Sequence, residues 1–169
     1  MKRLFSLLTL CALMLALTAC GGNNASSGGT SSGATSSGGE VSFDAVYQGI
    51  LNAQENTDEL IFFPEEGADA IESLYPGLSA LNPSRVQLYL PPVTGYACEI
   101  LLVEVAEGDV DAAKAILQDR IDSGANDTGY PENAVLWQNN AQIQVQGNCL
   151  CLIALPDGYT IPENVFALG

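Results

Sequence analysis

The side chains that could carry out chemistry in this chain are thiols and carboxylates, because the sequence contains 5 Cys and 20 Asp plus Glu but no His. Without His the chain cannot form a His-based catalytic triad, and it lacks the commonest general base near neutral pH and the commonest zinc ligand. Only 5 residues are Lys or Arg, so the net charge is −15. This charge excludes the cationic surface that nucleic acid binding needs.

Three cysteines belong to the part of the chain that is expected to fold: Cys98, Cys149 and Cys151. Cys149 and Cys151 share one face of a predicted strand and cannot bond to each other without strain, whereas Cys98 on a neighbouring strand could meet either. Such a disulfide would close about fifty residues and add about 4 kcal/mol of stability. The alternatives are three thiols packed as small apolar residues, which Leu150 and Leu152 beside them favour, or a thiolate metal site, which lacks a fourth ligand.

Glu99 and Glu104 invite a hydrolase interpretation, since two acids across a cleft can cleave glycosides without His. They are five residues apart on one strand, so they point to opposite faces and lie about 17 Å apart along it. The two carboxyl groups of a glycosidase are separated by about 5–9.5 Å. Because Glu99 lies in an apolar strand it needs a partner, and Arg120 is the scarce candidate for a structural ion pair. The alternative is that each side chain reaches solvent separately.

The remaining candidates are weaker. Asp122, Asn126 and Asp127 lie in a Gly-containing loop and could offer oxygens to calcium, but their spacing misses the EF-hand pattern, so a solvated acidic loop is predicted. Three aromatic side chains could stack on sugar rings but are expected to pack in the core or at its edge: Tyr130, Trp137 and Tyr159. We therefore predict no catalytic residue, no metal site and no cofactor.

The N-terminal segment predicts secretion and lipidation. Lys2 and Arg3 precede an apolar run over residues 4–19, which covers roughly 24 Å and is shorter than the ~30 Å core of a bilayer. Residues 17–20 read LTAC and match the lipobox of bacterial lipoproteins, in which Cys20 would take a diacylglyceryl group before cleavage ahead of it. Ordinary signal peptidase cleavage and an uncleaved anchor helix are the alternatives.

The sequence divides into a signal peptide over residues 1–19, the lipidated Cys20 with a Gly/Ser tether over residues 20–39, and one domain over residues 40–169. The tether has no charge and no large apolar side chain and is expected to stay unfolded. Removal of residues 1–19 takes away two basic residues and no acid, which changes the net charge from −15 to −17. Because this charge resists adsorption to anionic surfaces, the lipid would be the sole membrane attachment.

Hydrophobic periodicity assigns the elements of the domain. Apolar residues at helical spacing predict a helix that begins near Ser42 or Asp44, and residues 67–75 suit a short helix. Residues 97–105 (ACEILLVEV) are apolar on both faces, as in a central strand covered on both sides. Asp109 would cap a helix over residues 110–123, which Gly124 would end.

The remaining pattern completes an α+β prediction. Residues 86–90 read as extended, and residues 134–138 suit either a strand or the end of a helix. A Gly147-Asn148 turn joins strands over residues 142–146 and 149–155. We predict a small single α+β domain with a mainly antiparallel sheet of about four strands, on which two to three helices pack.

A set of short motifs also carries a family resemblance: Glu99-Ile100 in a strand, a helix ending around Arg120, Tyr130-Pro131-Glu132, and Gly147-Asn148 before an apolar strand. Behind a lipobox and a polar tether, this order resembles a family of Gram-positive bacterial lipoproteins that carry a domain of unknown function. The resemblance covers most of residues 40–169 and implies an envelope location and a small α+β domain. It transfers no activity and no catalytic residue. Cys149 and Cys151 depart from the aromatic or aliphatic residues ordinary at those positions.

The functional expectation is a non-enzymatic, lipid-anchored accessory or binding protein on the extracytoplasmic face of the cell membrane. Its acidic surface would engage a basic envelope protein or peptide. One alternative is a carboxylate-based cell-envelope hydrolase, which needs two other acids to face one cleft. A second is a small solute-binding lipoprotein, although a single domain of this size offers no second lobe to close over a ligand.

Overall fold

The computed structural model describes residues 40–55, 57, 60–92 and 98–169. The predicted signal peptide, the lipidation site Cys20 and the tether over residues 20–39 lie outside the described residues. Among the helices of the described part, none has the length and apolar character needed to cross a membrane.

A five-stranded antiparallel sheet with helices on both faces forms the fold, which confirms the predicted α+β class with one more strand than expected. The strand order is β1-β2-β3-β5-β4. The strands are β1 (Phe63–Glu65), β2 (Arg85–Leu90), β3 (Glu99–Glu104), β4 (Ala141–Gln146) and β5 (Cys149–Ala154). The α-helices are α1 (Phe43–Asn52), α2 (Ala68–Leu74), α3 (Val110–Ala125) and α4 (Pro131–Asn139).

The additional strand is β1, which the sequence did not reveal because Pro64 lies in its middle. Proline cannot donate to a ladder, so it argues against a strand in a sheet interior but is tolerated at an edge. β1 is such an edge, since β2 is its single partner among the strands that the structure describes.

The neighbouring strands β3 and β5 separate two apolar cores, as the apolar residues on both faces of these strands predicted. On one face, Ile100 and Leu102 pack with Phe43, Val46 and Ile50 of α1. The opposite core contains residues of β3 and β5 together with α3 and α4: Leu101, Val103, Leu150, Leu152, Leu117 and Trp137. Every residue of β5 is buried.

The helix boundaries confirm some predictions and correct others. α1 begins after Ser42, whose side chain accepts a hydrogen bond from the Ala45 N–H. Asp109 occupies the N-cap position of α3 but makes no side-chain capping bond. Gly124 does not end this helix; it is buried within the last turn, which continues to Ala125.

The ambiguous residues 134–138 belong to α4, a helix with Pro131 in its first turn. Proline suits this position because its missing N–H would have no partner inside the helix. The predicted hairpin is present between β4 and β5, where Gly147 has a φ of +60°. A two-residue turn requires a left-handed backbone conformation, which glycine adopts without strain.

Candidate functional site

Glu99 lies at the start of β3 and is only 2% exposed. Its parity places the side chain on the sheet face that α3 covers, and the structure brings Arg120 of α3 to it. Arg120 Nη2 lies 2.5 Å from Glu99 Oε2, and Arg120 Nε donates to Oε1 at 3.2 Å. The two parallel N–H bonds form the fork that guanidinium and carboxylate groups prefer. The sheet and the helix are thus joined by the ion pair that the sequence suggested.

Tyr75, at the C-terminal end of α2, is a further partner of Glu99. The Tyr75 hydroxyl donates a hydrogen bond to Glu99 Oε1. Burial raises the pKa of Tyr75 well above its ordinary value, and the charge of Glu99 adds to the effect. The phenol therefore stays protonated and remains a donor to the carboxylate.

Trp137 of α4 covers the outer side of Arg120, whose guanidinium carbon lies 4.5 Å from the ring centroid. Burial opposes the charge of Arg120, but the hydrogen bonds and charge of Glu99 outweigh it and raise the pKa of Arg120. We call Tyr75, Glu99, Arg120 and Trp137 the buried cluster. Sequence reasoning found the ion pair but neither aromatic residue, because their positions depend on how α2 and α4 pack.

The buried cluster is suited to structural stabilisation. The Glu99 carboxylate uses both oxygens on partners within the cluster, so reaction with a substrate would first require one of these bonds to open. Breaking such a pair inside a protein leaves a charge without compensation, which is costly.

Glu104 lies at the other end of β3 and faces the opposite core, so the two glutamates do not form a catalytic pair. Arg85 lies opposite Glu104 on the neighbouring strand β2 and donates from Nε to Glu104 Oε2 at 2.6 Å. This hydrogen bond lowers the pKa of Glu104. A lowered pKa favours the ionised carboxylate, whereas a general acid needs a raised one.

Arg85 is also held by groups other than Glu104. Its Nη1 lies 3.4 Å from Glu40 Oε1, and its guanidinium carbon lies 4.4 Å from the centre of the Phe43 ring. Both arginines of the domain are therefore neutralised by neighbouring carboxylates. Lys114, the remaining basic residue of the domain, is exposed on α3, and the surface stays strongly acidic.

The cysteine arrangement corrects the predicted disulfide of Cys98 with Cys149 or Cys151: all three are free and buried. β3 and β5 are neighbours, as the prediction required, but their antiparallel register pairs Cys151 with Leu102 and Cys149 with Glu104. Cys98 comes just before β3 begins at Glu99. It therefore lies about 13 Å or more along the strand from Leu102 and Glu104, the residues that face Cys151 and Cys149. A disulfide needs Cα atoms within about 7 Å.

These thiols are also poor nucleophiles. Burial raises the pKa of Cys98 to about 12, and it raises the pKa of Cys151 as well. Because the thiolate is the reactive form and the better metal ligand, both groups act as small apolar residues near neutral pH. Among the residues that the structure describes, no group of His, Cys, Asp and Glu could hold a metal ion.

The acidic loop after α3 uses its oxygens locally. Asn126 donates from its side chain to the Asp122 carbonyl, and Asp127 Oδ1 accepts from the Gly129 N–H. Asp122, which was expected in the loop, lies in the last turn of α3, where its Oδ1 accepts from the Gln118 side chain. These bonds support the loop and the end of α3, as the prediction of a solvated loop implies.

The three aromatic candidates occupy different environments. Trp137 is buried in the core that α3 covers, Tyr130 is exposed before α4, and Tyr159 packs against the core that α1 covers. They do not form a common stacking platform.

An opening at the edge of the sheet is a more promising place for a ligand. β1 pairs only with the second half of β2, from Phe63↔Leu90 to Glu65↔Leu88. On that side of β2, the residues 85–87 have no strand partner within the described chain. We call this stretch the open edge.

Two surface openings of about 590 and 550 Å³ flank the open edge and share Asp44, Val86 and Gln87 in their walls. Glu65 and Glu66 add two carboxylates to the smaller opening. We call the two openings together the edge groove. Their volumes fall within the range of ordinary ligand clefts, and sequence reasoning missed them because β1 was not predicted.

In a comparison with known protein families, the model of a family described as a domain of unknown function (DUF4358) matches residues 66–155. The matched region begins just before α2 and ends just after β5, and it therefore includes the whole buried cluster and most of the sheet. No curated protein and no solved structure matches the chain significantly.

Proposed function

This chain belongs to the DUF4358 family, and from that starting point we propose that it is a lipid-anchored extracytoplasmic binding or accessory protein of a Gram-positive envelope. The family supplies no activity, so the proposal depends on the residues of this chain. The observation that carries it is the LTAC motif, which ends at Cys20 after an apolar run of signal-peptide length.

The composition around Cys20 supports the anchoring. A diacylglyceryl group buries two long chains, and each buried CH₂ contributes about 0.8 kcal/mol to membrane attachment. The Gly/Ser tether that follows has an expected r.m.s. span of about 24 Å, enough to separate a domain from the headgroups. The acidic domain would be repelled by an anionic surface, which fits a protein held by its lipid and free to meet partners.

The described residues support a binding role over catalysis. The buried cluster uses its polar groups internally. Hydrogen bonding from the Gly77 N–H lowers the pKa of Glu72, and the Arg85 hydrogen bond lowers the pKa of Glu104. Neither shift suits a general acid. An acidic surface with both arginines already paired suits a basic protein or peptide as partner.

Replacement of the acceptor cysteine tests the proposal. We expect Cys20→Ser to release the protein from the membrane fraction of a Gram-positive host and to remove the diacylglyceryl mass from the mature N-terminus. Cys11→Ser is the matched control, since that cysteine lies within the predicted signal peptide and should leave fractionation unchanged. An unmodified Cys20 in the mature protein, or fractionation that Cys20→Ser does not alter, would overturn the anchoring.

A further inference from the structure

We propose that the open edge of β2 binds an extended, Lys- or Arg-bearing segment of a partner protein by β-strand addition. The inference rests on the proposed binding function and adds where the partner docks and in what conformation. In this mode, backbone hydrogen bonds to an exposed strand supply affinity, while alternate side chains supply specificity.

The first argument is the sheet position that the described residues leave without a strand. β1 runs beside β2 only as far as Glu65, which pairs with Leu88. The chain then turns away, because Gly67 donates its N–H to Glu65 Oε1 at 2.8 Å and α2 begins at Ala68. A strand entering the edge groove would continue the line of β1 alongside residues 85–87. An unpaired strand edge is a ready template for such pairing.

The second argument is the chemistry of the groove walls. Val86 and Ile71 provide apolar surface, while Asp44 and Glu65 provide carboxylates. Successive side chains of an extended peptide point to opposite sides, so one set can pack on the apolar surface while the other reaches the acids. Basic side chains in the second set complement this charge, and an acidic segment would be repelled.

Apolar surface is also exposed beyond the groove, at the start of β1. Ile61 and Phe63 are 51% and 56% exposed although the residue between them, Phe62, is buried in the core that α1 covers. These two large apolar side chains, one just before the edge strand β1 and one at its first residue, offer a partner more surface to bury.

The opposite edge of the sheet is treated differently. The Gln144 side chain of β4 donates to the Pro162 carbonyl and accepts from the Val165 N–H, which ties the C-terminal segment to that edge strand. Side chains and segments held at an edge discourage pairing with another chain. The contrast favours the open edge of β2 as the docking position.

A defined peptide pair tests both arguments. The probe is a fluorescein-labelled nonapeptide of alternating Lys and Val, titrated with the full chain in detergent micelles at low salt and followed by fluorescence anisotropy. The control peptide has the same sequence with alternate amides N-methylated, so that it keeps its charge but cannot pair along one edge. We expect saturable binding of the first peptide and at least about tenfold weaker binding of the second.

Matched charge variants locate the contact. Glu65→Gln with Glu66→Gln should weaken binding about fivefold, since two groove charges are lost and the Gly67 bond to residue 65 is kept. Asp119→Asn with Glu163→Gln removes the same charge from exposed positions outside the groove walls and should change binding less than twofold. Thermal unfolding of each variant shows that it is folded.

Each contrary outcome overturns the inference. Equal weakening by both variant pairs would show that only net charge attracts the peptide. Equal binding of the N-methylated peptide would exclude strand addition, and lack of binding by either peptide would show that the open edge does not accept this chemistry. None of these results concerns Cys20, so the membrane fractionation decides the anchoring separately.

Discussion

Glu99 is the residue whose environment is most demanding. A carboxylate that is 2% exposed is tolerated because Arg120 and Tyr75 supply donors to both of its oxygens. Such a pair contributes little or nothing to stability compared with apolar residues of the same volume, but the loss of one partner is costly because the other charge stays buried. This asymmetry gives the ion pair a clear experimental signature.

A double-mutant cycle should reveal that signature. We expect Arg120→Met to lower the free energy of unfolding by about 3–5 kcal/mol, because it leaves Glu99 buried without its cation. Adding Glu99→Gln should then cost less than it does in the native background, with a coupling of at least about 1 kcal/mol. Chemical denaturation measures the four variants.

Lys114→Met is the control for this cycle, since it removes a cation from the exposed side of α3. Its effect should stay within about 0.5 kcal/mol. Simple additivity of the Arg120 and Glu99 effects would contradict the buried ion pair.

At the residue scale, the ion pair could be predicted because the predicted domain offers Glu99 only three cations. The cysteines could not be assigned in the same way. Their residue types permitted a disulfide, but the distance between Cys98 and Cys151 depends on the register of β3 against β5. Each residue by which the register shifts changes that distance by about 3.4 Å. Short sequence patterns carry no information about the register.

The packing of α3 against α4 depends on Gly124. A Cβ built at this position would lie 2.4–2.5 Å from ring atoms of Trp137. The absent side chain therefore allows the indole to lie against the helix while it also covers Arg120. Gly124 was expected to end the helix, but its requirement is one of space within the last turn.

We predict that Gly124→Ala destabilises the protein by about 1–3 kcal/mol, because the added methyl group displaces the indole from a packed core. Gly108→Ala is the matched control, since a Cβ there would have no neighbour within 4 Å. Thermal unfolding measures both variants, and tryptophan fluorescence reports the environment of Trp137, the one tryptophan of the chain. Equal stability of the two variants would show that α4 moves aside without cost.

At the element scale, long segments with clear periodicity were predictable. α3 and the central strand β3 follow from repeated apolar positions, and the β4–β5 hairpin follows from a Gly-Asn turn. β1 and α4 were not, because β1 contains only three residues around a proline, and α4 is short with only a few buried residues. Their conformations are decided by the neighbours on which they pack.

Charge governs the behaviour of the whole molecule. With a net charge of −15, and with Arg85 and Arg120 engaged in ion pairs, most surface carboxylates repel one another. Self-repulsion of this kind favours the expanded state, and salt screens it over a Debye length of about 10 Å at 0.1 M.

We therefore expect the midpoint of thermal unfolding to rise by about 2–4 °C when NaCl increases from roughly 0.02 to 0.5 M. Replacing two exposed acids by lysine, Asp119→Lys with Glu163→Lys, should raise the midpoint at low salt and reduce its salt dependence. Differential scanning calorimetry gives both quantities. A midpoint that falls with added salt would show that attractive pairs, rather than repulsion, dominate the electrostatics of the fold.

The sequence by itself determined the α+β class, the two-sided burial of the central strand and the acidic character, because these properties follow from local periodicity and from composition. It also predicts lipidation at Cys20, because the lipobox is a motif of four consecutive residues. The tertiary structure alone decided that the cysteines stay apart, that Tyr75 and Trp137 complete the environment of the ion pair, and that β2 keeps an open edge. Each of these depends on register or on packing between elements distant in the chain, where short-range patterns carry no information about separation.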